Sequence, residues 1–110
     1  MDIAFSSLLL ALSFMVPTPV SYTQIAHAIA VAETGGGTVG LGITQNNPCG
    51  LKKGGQDASY ATREEGLAAC AWIWEHHYGG LPDLPKAIRW TGNHSPEQWL
   101  WHVNRVLARD

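Results

Sequence analysis

The chain has 110 residues, the size of one small domain with a modest core. Its formal net charge is -2 with only seven Lys and Arg, which gives no extended basic patch and argues against nucleic acid as a partner. No Cys or His spacing typical of zinc occurs, so we expect no metal and no other cofactor. The hydrophobic pattern predicts a single α-rich domain with one glycine-rich interruption.

The N-terminal stretch, residues 3–16, is apolar but too short for a clear membrane span. It lacks the basic start of a signal peptide, because Asp2 is its only early charge, and no clear cleavage site follows Pro17. Most of its leucines fall on one helical face. We therefore favour an apolar core helix within residues 1–20, with a cleaved signal peptide as the alternative.

The next predicted helix is an alanine-rich run that begins after Ser21 or Thr23 and ends at about Glu33, before three glycines. A carboxyl at that end loses solvation and lies beside the negative pole of the helix. Both effects favour its protonated form, which a general acid requires. Glu33 is thus a candidate catalytic acid, although a solvated residue at a helix end is the simpler interpretation when it is taken alone. His27, inside the same run, is interpreted as a core histidine.

Residues 34–61 hold eight glycines and predict a compact lobe, because a structureless loop of this length is rare in a small domain unless it is functional. Residues 39–44 are β-prone, and a hairpin is expected near residues 53–56. In the segment that starts at Gln45, the amides of Asn46 and Asn47 suit the hydroxyl and acetamido groups of a sugar. Asn-Asn-Pro is also a strong turn signal, and for Asn47 we favour the turn.

The two cysteines, Cys49 and Cys70, leave two possibilities open. They form one disulfide in an oxidising compartment, or they are two separate buried thiols. Cys70 lies among alanines on a predicted helix, where a core thiol is ordinary, and we therefore favour the thiols slightly.

Three further helices are predicted. A capping box, Thr62-Arg63-Glu64-Glu65, starts the first, and Gly79-Gly80 end it. A short helix covers residues 84–91. The last helix starts with Ser95 as its cap and Pro96 in its first position, and it faces inward through Trp99, Val103, Val106 and Leu107. Trp72 and Trp101 fall off the apolar faces, so they either pack on neighbouring segments or stack on sugar rings.

In chain order, four features resemble the lysozyme-like superfamily, nearest to bacterial and phage glucosaminidase and lytic transglycosylase domains. They are a glutamate-closed helix, a glycine-rich stretch, Asn46-Asn47-Pro48-Cys49-Gly50-Leu51-Lys52, and Ser59-Tyr60-Ala61-Thr62-Arg63-Glu64-Glu65-Gly66. The resemblance covers about residues 21–108. It implies a mainly α, α+β fold of four to five helices with a small lobe at about 34–61. It also implies cleavage of β-1,4 bonds in peptidoglycan by a muramidase, glucosaminidase or lytic transglycosylase.

The resemblance further implies that Glu33 is the general acid, in a groove between the helices and the lobe. Asp57 is the only acidic residue of the lobe and the candidate second carboxylate, with a surface turn as the commoner alternative. If Asp57 points away, the acetamido or 6-hydroxyl group of the substrate takes that role. The candidates for substrate binding are Gln45, Asn46, Asn47 and Tyr60.

The expected partner is the glycan strand of peptidoglycan, in a secreted, periplasmic or virion-associated setting. The chain would act as a monomer or as part of a larger envelope or virion assembly. The alternative is a non-catalytic peptidoglycan-binding or structural module of a phage tail or secretion apparatus on the same fold. The short length, the unusual Thr-Gly-Gly-Gly after Glu33 and the lack of a firm second carboxylate favour that alternative.

Overall fold

The computed structural model describes residues 19–35 and 40–109. The predicted helix at residues 3–16 lies outside this range. Within it the chain is mainly helical, as predicted. The elements are α1 (Tyr22–Thr34), α2 (Leu41–Thr44), β1 (Lys52–Lys53), β2 (Gln56–Asp57), α3 (Arg63–Ile73), a π-helical turn (Trp74–Tyr78), α4 (Leu84–Thr91) and α5 (Pro96–Arg109). Every helix of this described part lacks the length and apolar character that crossing a bilayer requires.

Helix α1 is fixed at both ends by local hydrogen bonds. The Ser21 hydroxyl accepts a hydrogen bond from the backbone N–H of Gln24 at 3.0 Å. The side-chain carbonyl of Gln24 accepts one from the backbone N–H of Ser21 at 2.8 Å. This capping box satisfies two backbone donors of the first turn. Gly35 ends the helix with a φ of 61°, a conformation that glycine adopts without strain. The helix therefore has almost the predicted bounds, and its last turn carries Glu33.

The core forms around α1, which packs against both α3 and α5, while α4 packs against α5. Its buried side chains come from every long helix and from the lobe: Ile25, Ala26, Ala28, Ile29, Ala30, Cys49, Leu51, Ala58, Cys70, Trp74, Ala87, Trp99, Val103, Val106 and Leu107. The inward face predicted for the last helix is confirmed. The prediction for His27 is wrong, because its side chain is exposed on the face of α1 away from this core.

Helix α3 begins as predicted, with the Thr62 hydroxyl accepting from the Glu65 N–H at 3.1 Å. The Glu65 carboxylate accepts from the Ala61 N–H, one residue before the cap. At its other end the helix widens into the π-helical turn before Gly79. In this turn Trp74 is fully buried, and its indole N–H donates to the Gly80 carbonyl at 2.8 Å. Ser95, the predicted cap of α5, has a φ of 50° instead of the extended backbone usual for a cap.

The lobe contains the predicted hairpin. Lys52 pairs with Asp57 and Lys53 with Gln56 in an antiparallel register. Gly54 and Gly55 have φ values of 60° and 79°, the two left-handed residues that a tight hairpin turn requires. The β-prone segment near residue 41 is instead the one-turn helix α2. Its amides close locally on the Gly40 carbonyl, so they do not pair with a strand.

Cys49 and Cys70 form a disulfide, so the preference for separate thiols is wrong. Both residues are buried, and the bond joins the lobe to the middle of α3. Sequence spacing could not decide the pairing, because it depends on how the turn at Pro48 folds back onto α3. The lobe is therefore covalently fixed to the helical core.

Removing this disulfide is expected to lower the free energy of unfolding by about 3 kcal/mol, because the bond constrains a loop of intermediate length in the unfolded chain. Urea denaturation of the Cys49→Ser/Cys70→Ser variant measures the loss. Wild-type protein treated with a reductant is the matched control and should show the same midpoint. An unchanged midpoint in both samples would contradict the pairing.

Candidate active site

A cleft of about 440 Å³ lies between the lobe and the helices. This volume is within the range of pockets that bind small ligands. The lobe forms one wall of this cleft. The opposite walls are formed by the end of α1, the end of α3 with the π-helical turn, α4 and α5. The lining residues are Glu33, Cys49, Gly50, Leu51, Lys52, Ile73, Tyr78, Trp90, Thr91, His94 and Trp99.

Two indoles hold the carboxylate of Glu33 in this cleft. Trp90 Nε1, from α4, donates to Glu33 Oε2 at 3.1 Å, and Trp99 Nε1, from α5, donates to the same oxygen at 2.9 Å. The residue is exposed, which corrects the prediction of a buried acid. The last turn of α1 directs its side chain into the cleft, away from the core. Its orientation comes from hydrogen bonds with the two tryptophans.

The two oxygens of Glu33 have different surroundings. An indole N–H only donates, so Oε2 must act as the acceptor for both Trp90 and Trp99. Oε1 lies on the side of Gly50, where a Cβ added to that glycine would be 3.8 Å away. In the neutral acid the carbonyl oxygen is therefore Oε2, and Oε1 carries the proton. The arrangement can present one acidic O–H, or one free carboxylate oxygen, to a ligand in the cleft.

A cluster of aromatic rings supports the two indoles. Trp90 and Trp99 are stacked with their centroids 6.2 Å apart, and Tyr78 lies 5.4 Å from Trp90. Beneath them Trp74 stacks on Tyr78 at 4.6 Å. The π-helical turn supplies both Trp74 and Tyr78. Packed rings of this kind have few rotamers available, so the hydrogen-bond donors to Glu33 are held in place.

Burial raises the pKa of the Tyr78 phenol above its ordinary value of 10.0, and the Arg89 guanidinium opposes part of this rise. The Arg89 Cζ lies 4.2 Å from the centre of the Tyr78 ring. The phenol is therefore neutral at physiological pH. Tyr78 lines the cleft, and a neutral phenol can both donate and accept hydrogen bonds.

Tyr78 is expected to titrate above its ordinary pKa, and Arg89→Gln is expected to raise that pKa further, because the lost cation stabilises the phenolate. The difference in phenolate absorbance between wild type and Tyr78→Phe isolates this one tyrosine during an alkaline titration. Arg89→Lys is the matched control, since it keeps the positive charge. A Tyr78 pKa below the ordinary value would contradict the burial argument.

The structure gives Asn47 a role in the lobe. It is fully buried, and its Nδ2 donates to the carbonyls of Leu51 and Ala58 at 2.9 and 3.0 Å. Its Oδ1 accepts from the Leu51 N–H at 2.8 Å. Both amide hydrogens are used inside the protein, so the turn interpretation of Asn47 is confirmed. The side chain shapes the lobe wall that lines the cleft.

The other predicted sugar-binding residues also lie away from the cleft. Asn46 has a φ of 51°, and its Nδ2 donates to the carbonyls of Tyr60 and Ala61, both at 3.1 Å. The Gln45 carbonyl accepts from the Tyr60 N–H, and the half-buried Tyr60 ring packs against the core. The described residues that line the cleft include none of the four predicted sugar-binding residues, Gln45, Asn46, Asn47 and Tyr60. The structure does not bring them together with Glu33.

Asp57 lies exposed on β2 and forms an ion pair with Lys52 at 2.5 Å. Lys52 lines the cleft and Asp57 does not. Glu33 is therefore the only carboxylate among the cleft-lining residues that the structure describes. A catalytic role for Asp57 stays a prediction, and its nearest described partner is a lysine of the cleft.

The sequence reasoning missed the contacts of Trp90 with Glu33 and the cleft positions of Lys52 and His94. The only available signal was the presence of five tryptophans in so short a chain, and that number does not say which indole meets the acid. Trp72 and Trp101, considered for sugar stacking, have 54% and 45% of their surface exposed and lie outside the cleft. Trp72 stacks on His76 at 4.2 Å between ring centroids.

Comparison of the chain with protein-family models, with curated proteins and with solved structures gives no match.

Proposed function

We propose that this protein cleaves β-1,4 glycosidic bonds of peptidoglycan, as a muramidase, glucosaminidase or lytic transglycosylase, with Glu33 as general acid. The observation that carries the proposal is the Glu33 carboxyl, which projects into a cleft and receives two indole N–H groups on one oxygen. The ordered sequence motifs and the position of Glu33 at the end of α1, facing a small lobe, support a lysozyme-like fold.

In the proposed reaction the glycosidic oxygen lies next to Glu33 Oε1. The proton passes from Oε1 to that oxygen while the bond between it and the anomeric carbon breaks, and positive charge develops on the sugar ring. Glu33 becomes a carboxylate. Because Trp90 and Trp99 remain on Oε2, the free oxygen that results still faces the sugar. The indoles thus position the acid for both halves of the reaction.

The second half of the reaction needs a nucleophile at the anomeric carbon. Since Glu33 is the only carboxylate among the described cleft residues, the substrate's own acetamido oxygen or 6-hydroxyl group is the proposed nucleophile. With the 6-hydroxyl, Glu33 Oε1 takes its proton as the new carbon–oxygen bond forms, which restores the neutral acid and yields an anhydro-sugar. With the acetamido oxygen, water later opens the intermediate, with Glu33 as base.

The remaining cleft residues suit a glycan. Tyr78 offers a ring face and a hydroxyl, and the rings of Trp90 and Trp99, whose N–H groups already donate to Glu33, add apolar surface. Lys52 and His94 add polar groups at the edge of the same cleft. We propose that these residues, in place of the asparagines of the lobe, contact the sugar units.

Digestion of purified peptidoglycan by the oxidised wild-type protein tests the proposal. Mass spectrometry of the released fragments distinguishes the two outcomes that support it. New reducing ends indicate hydrolysis, and fragments that lack one water indicate anhydro-sugar formation. The fall in turbidity of the peptidoglycan suspension gives an independent measure of the cleavage rate. A digest that releases neither kind of fragment would contradict the enzymatic proposal.

A non-catalytic peptidoglycan-binding module is the second candidate, favoured by the single carboxylate in the described cleft and by the exposure of Glu33. It predicts that the protein sediments with purified cell walls and releases no fragments. The same samples therefore decide between the two candidates.

A further inference from the structure

A second pocket, of about 270 Å³, lies where the C-terminal halves of α1 and α5 meet. The described linings of the two cavities have no residue in common, although Ala32, in the wall of the second pocket, is the chain neighbour of Glu33. Its lining residues are Val31, Ala32, His102, Arg105, Val106 and Arg109. The two cavities therefore flank the same end of α1.

The chemistry of this second pocket is divided between its floor and its rim. Val31, Ala32 and Val106 provide a small apolar surface. Arg105, Arg109 and His102 provide cationic and hydrogen-bonding groups, and the described lining contains no carboxylate. Such a division fits a ligand with a small apolar part and a negative group beside it.

The two arginines carry charge that the described protein does not neutralise. Lys52 and Lys86 have aspartate partners, whereas Arg105 and Arg109 form no ion pair with any acidic residue in the described ranges. They lie four residues apart on α5, so their like charges occupy neighbouring positions on the helix surface and repel. An anion between them removes this repulsion.

Arg105 is also held in place by a ring. Its Cζ lies 5.2 Å from the centre of the Trp101 ring, and Trp101 meets His102 edge-on at 5.1 Å. A guanidinium that rests on an indole keeps its in-plane N–H donors available, and those donors match the two oxygens of a carboxylate. Arg105 therefore offers a planar donor edge as well as a positive charge.

We propose that this pocket binds a small apolar residue with a free carboxylate. On the basis of the proposed function, we assign that residue to the peptide stem of peptidoglycan, which carries alanine residues and free carboxylates. The apolar floor selects this ligand over inorganic phosphate or another wholly polar anion. The pocket holds the stem while the Glu33 cleft holds the glycan strand.

Isothermal titration calorimetry with a synthetic tetrapeptide stem tests this proposal on the oxidised full chain. Arg105→Gln and Arg109→Gln are each expected to weaken binding about 10-fold, because each removes a charge-assisted hydrogen bond. The wild type should bind the stem with a C-terminal amide more weakly, and inorganic phosphate more weakly still. Lys53→Gln, which removes one positive charge from the exposed hairpin, is the matched control and should bind like the wild type.

Equal affinity for the acid and the amide would overturn the proposal, as would unchanged binding in both arginine variants or tighter binding of phosphate than of the stem. Thermal unfolding of each variant checks that the exposed substitutions leave the fold intact. Glu33→Gln is expected to keep the stem affinity. Stem binding without wall cleavage would refute the proposed enzymatic activity but support the proposed stem-binding pocket. Wall cleavage without stem binding would refute only the proposed role of the pocket.

Discussion

Glu33→Gln is expected to lower the rate of peptidoglycan cleavage by about 100- to 10,000-fold, the usual contribution of a general acid. The glutamine amide has the same shape as the acid, and its carbonyl oxygen still accepts from Trp90 and Trp99. It has no acidic proton to give to the glycosidic oxygen. The melting temperature should therefore stay close to that of the wild type, and fragment release from purified walls measures the loss.

Asp57→Asn is the matched control, because it also removes one carboxylate without changing the side-chain volume. It should retain most of the activity if the substrate supplies the nucleophile. An equal loss in both variants would identify Asp57 as the second catalytic carboxylate and contradict the single-acid mechanism. Unchanged cleavage by Glu33→Gln would contradict the role of Glu33 itself.

Gly66→Ala is expected to lower the free energy of unfolding by about 4 kcal/mol, at the upper end of single substitutions. A Cβ at this position would lie 2.1 Å from the Asn46 carbonyl oxygen and 2.7 Å from Pro48 Cδ. The nearer obstacle is backbone, so no rotamer change relieves it, and α3 must separate from the lobe. Urea denaturation measures the change.

The control for this substitution is Ala68→Gly on the exposed face of the same helix. Within a helix, glycine is less stable than alanine by about 1 kcal/mol, so propensity alone predicts that Gly66→Ala stabilises and Ala68→Gly destabilises. The close approach of the lobe reverses the sign at Gly66. A Gly66→Ala protein as stable as the wild type would show that the lobe does not pack against α3 as described.

Local signals made the framework predictable. The Ser21 and Thr62 caps, and the paired glycines Gly54 and Gly55, each act over four residues or fewer, and each produced the expected helix start or turn. The periodic apolar face of the last helix behaved in the same way. These features depend on neighbours in the sequence, which is why reading along the chain was sufficient.

The site depended on contacts between distant residues, which the sequence does not encode in any short pattern. Trp90 and Trp99 meet Glu33 across sequence separations of 57 and 66 residues. The burial of Asn47 and the pairing of Cys49 with Cys70 likewise follow from how the lobe folds onto α3. Its place at a helix end drew attention to Glu33, but the expected burial is wrong, since the side chain is exposed and its partners are indoles.

Cys49 lines the cleft and is also one end of the disulfide. The shape of the cleft therefore depends on whether these two cysteines are oxidised to the disulfide. In a reducing, glutathione-rich compartment the two thiols would stay unpaired, and only noncovalent contacts would hold the lobe against α3. The geometry of the Glu33 cleft is therefore that of the oxidised protein.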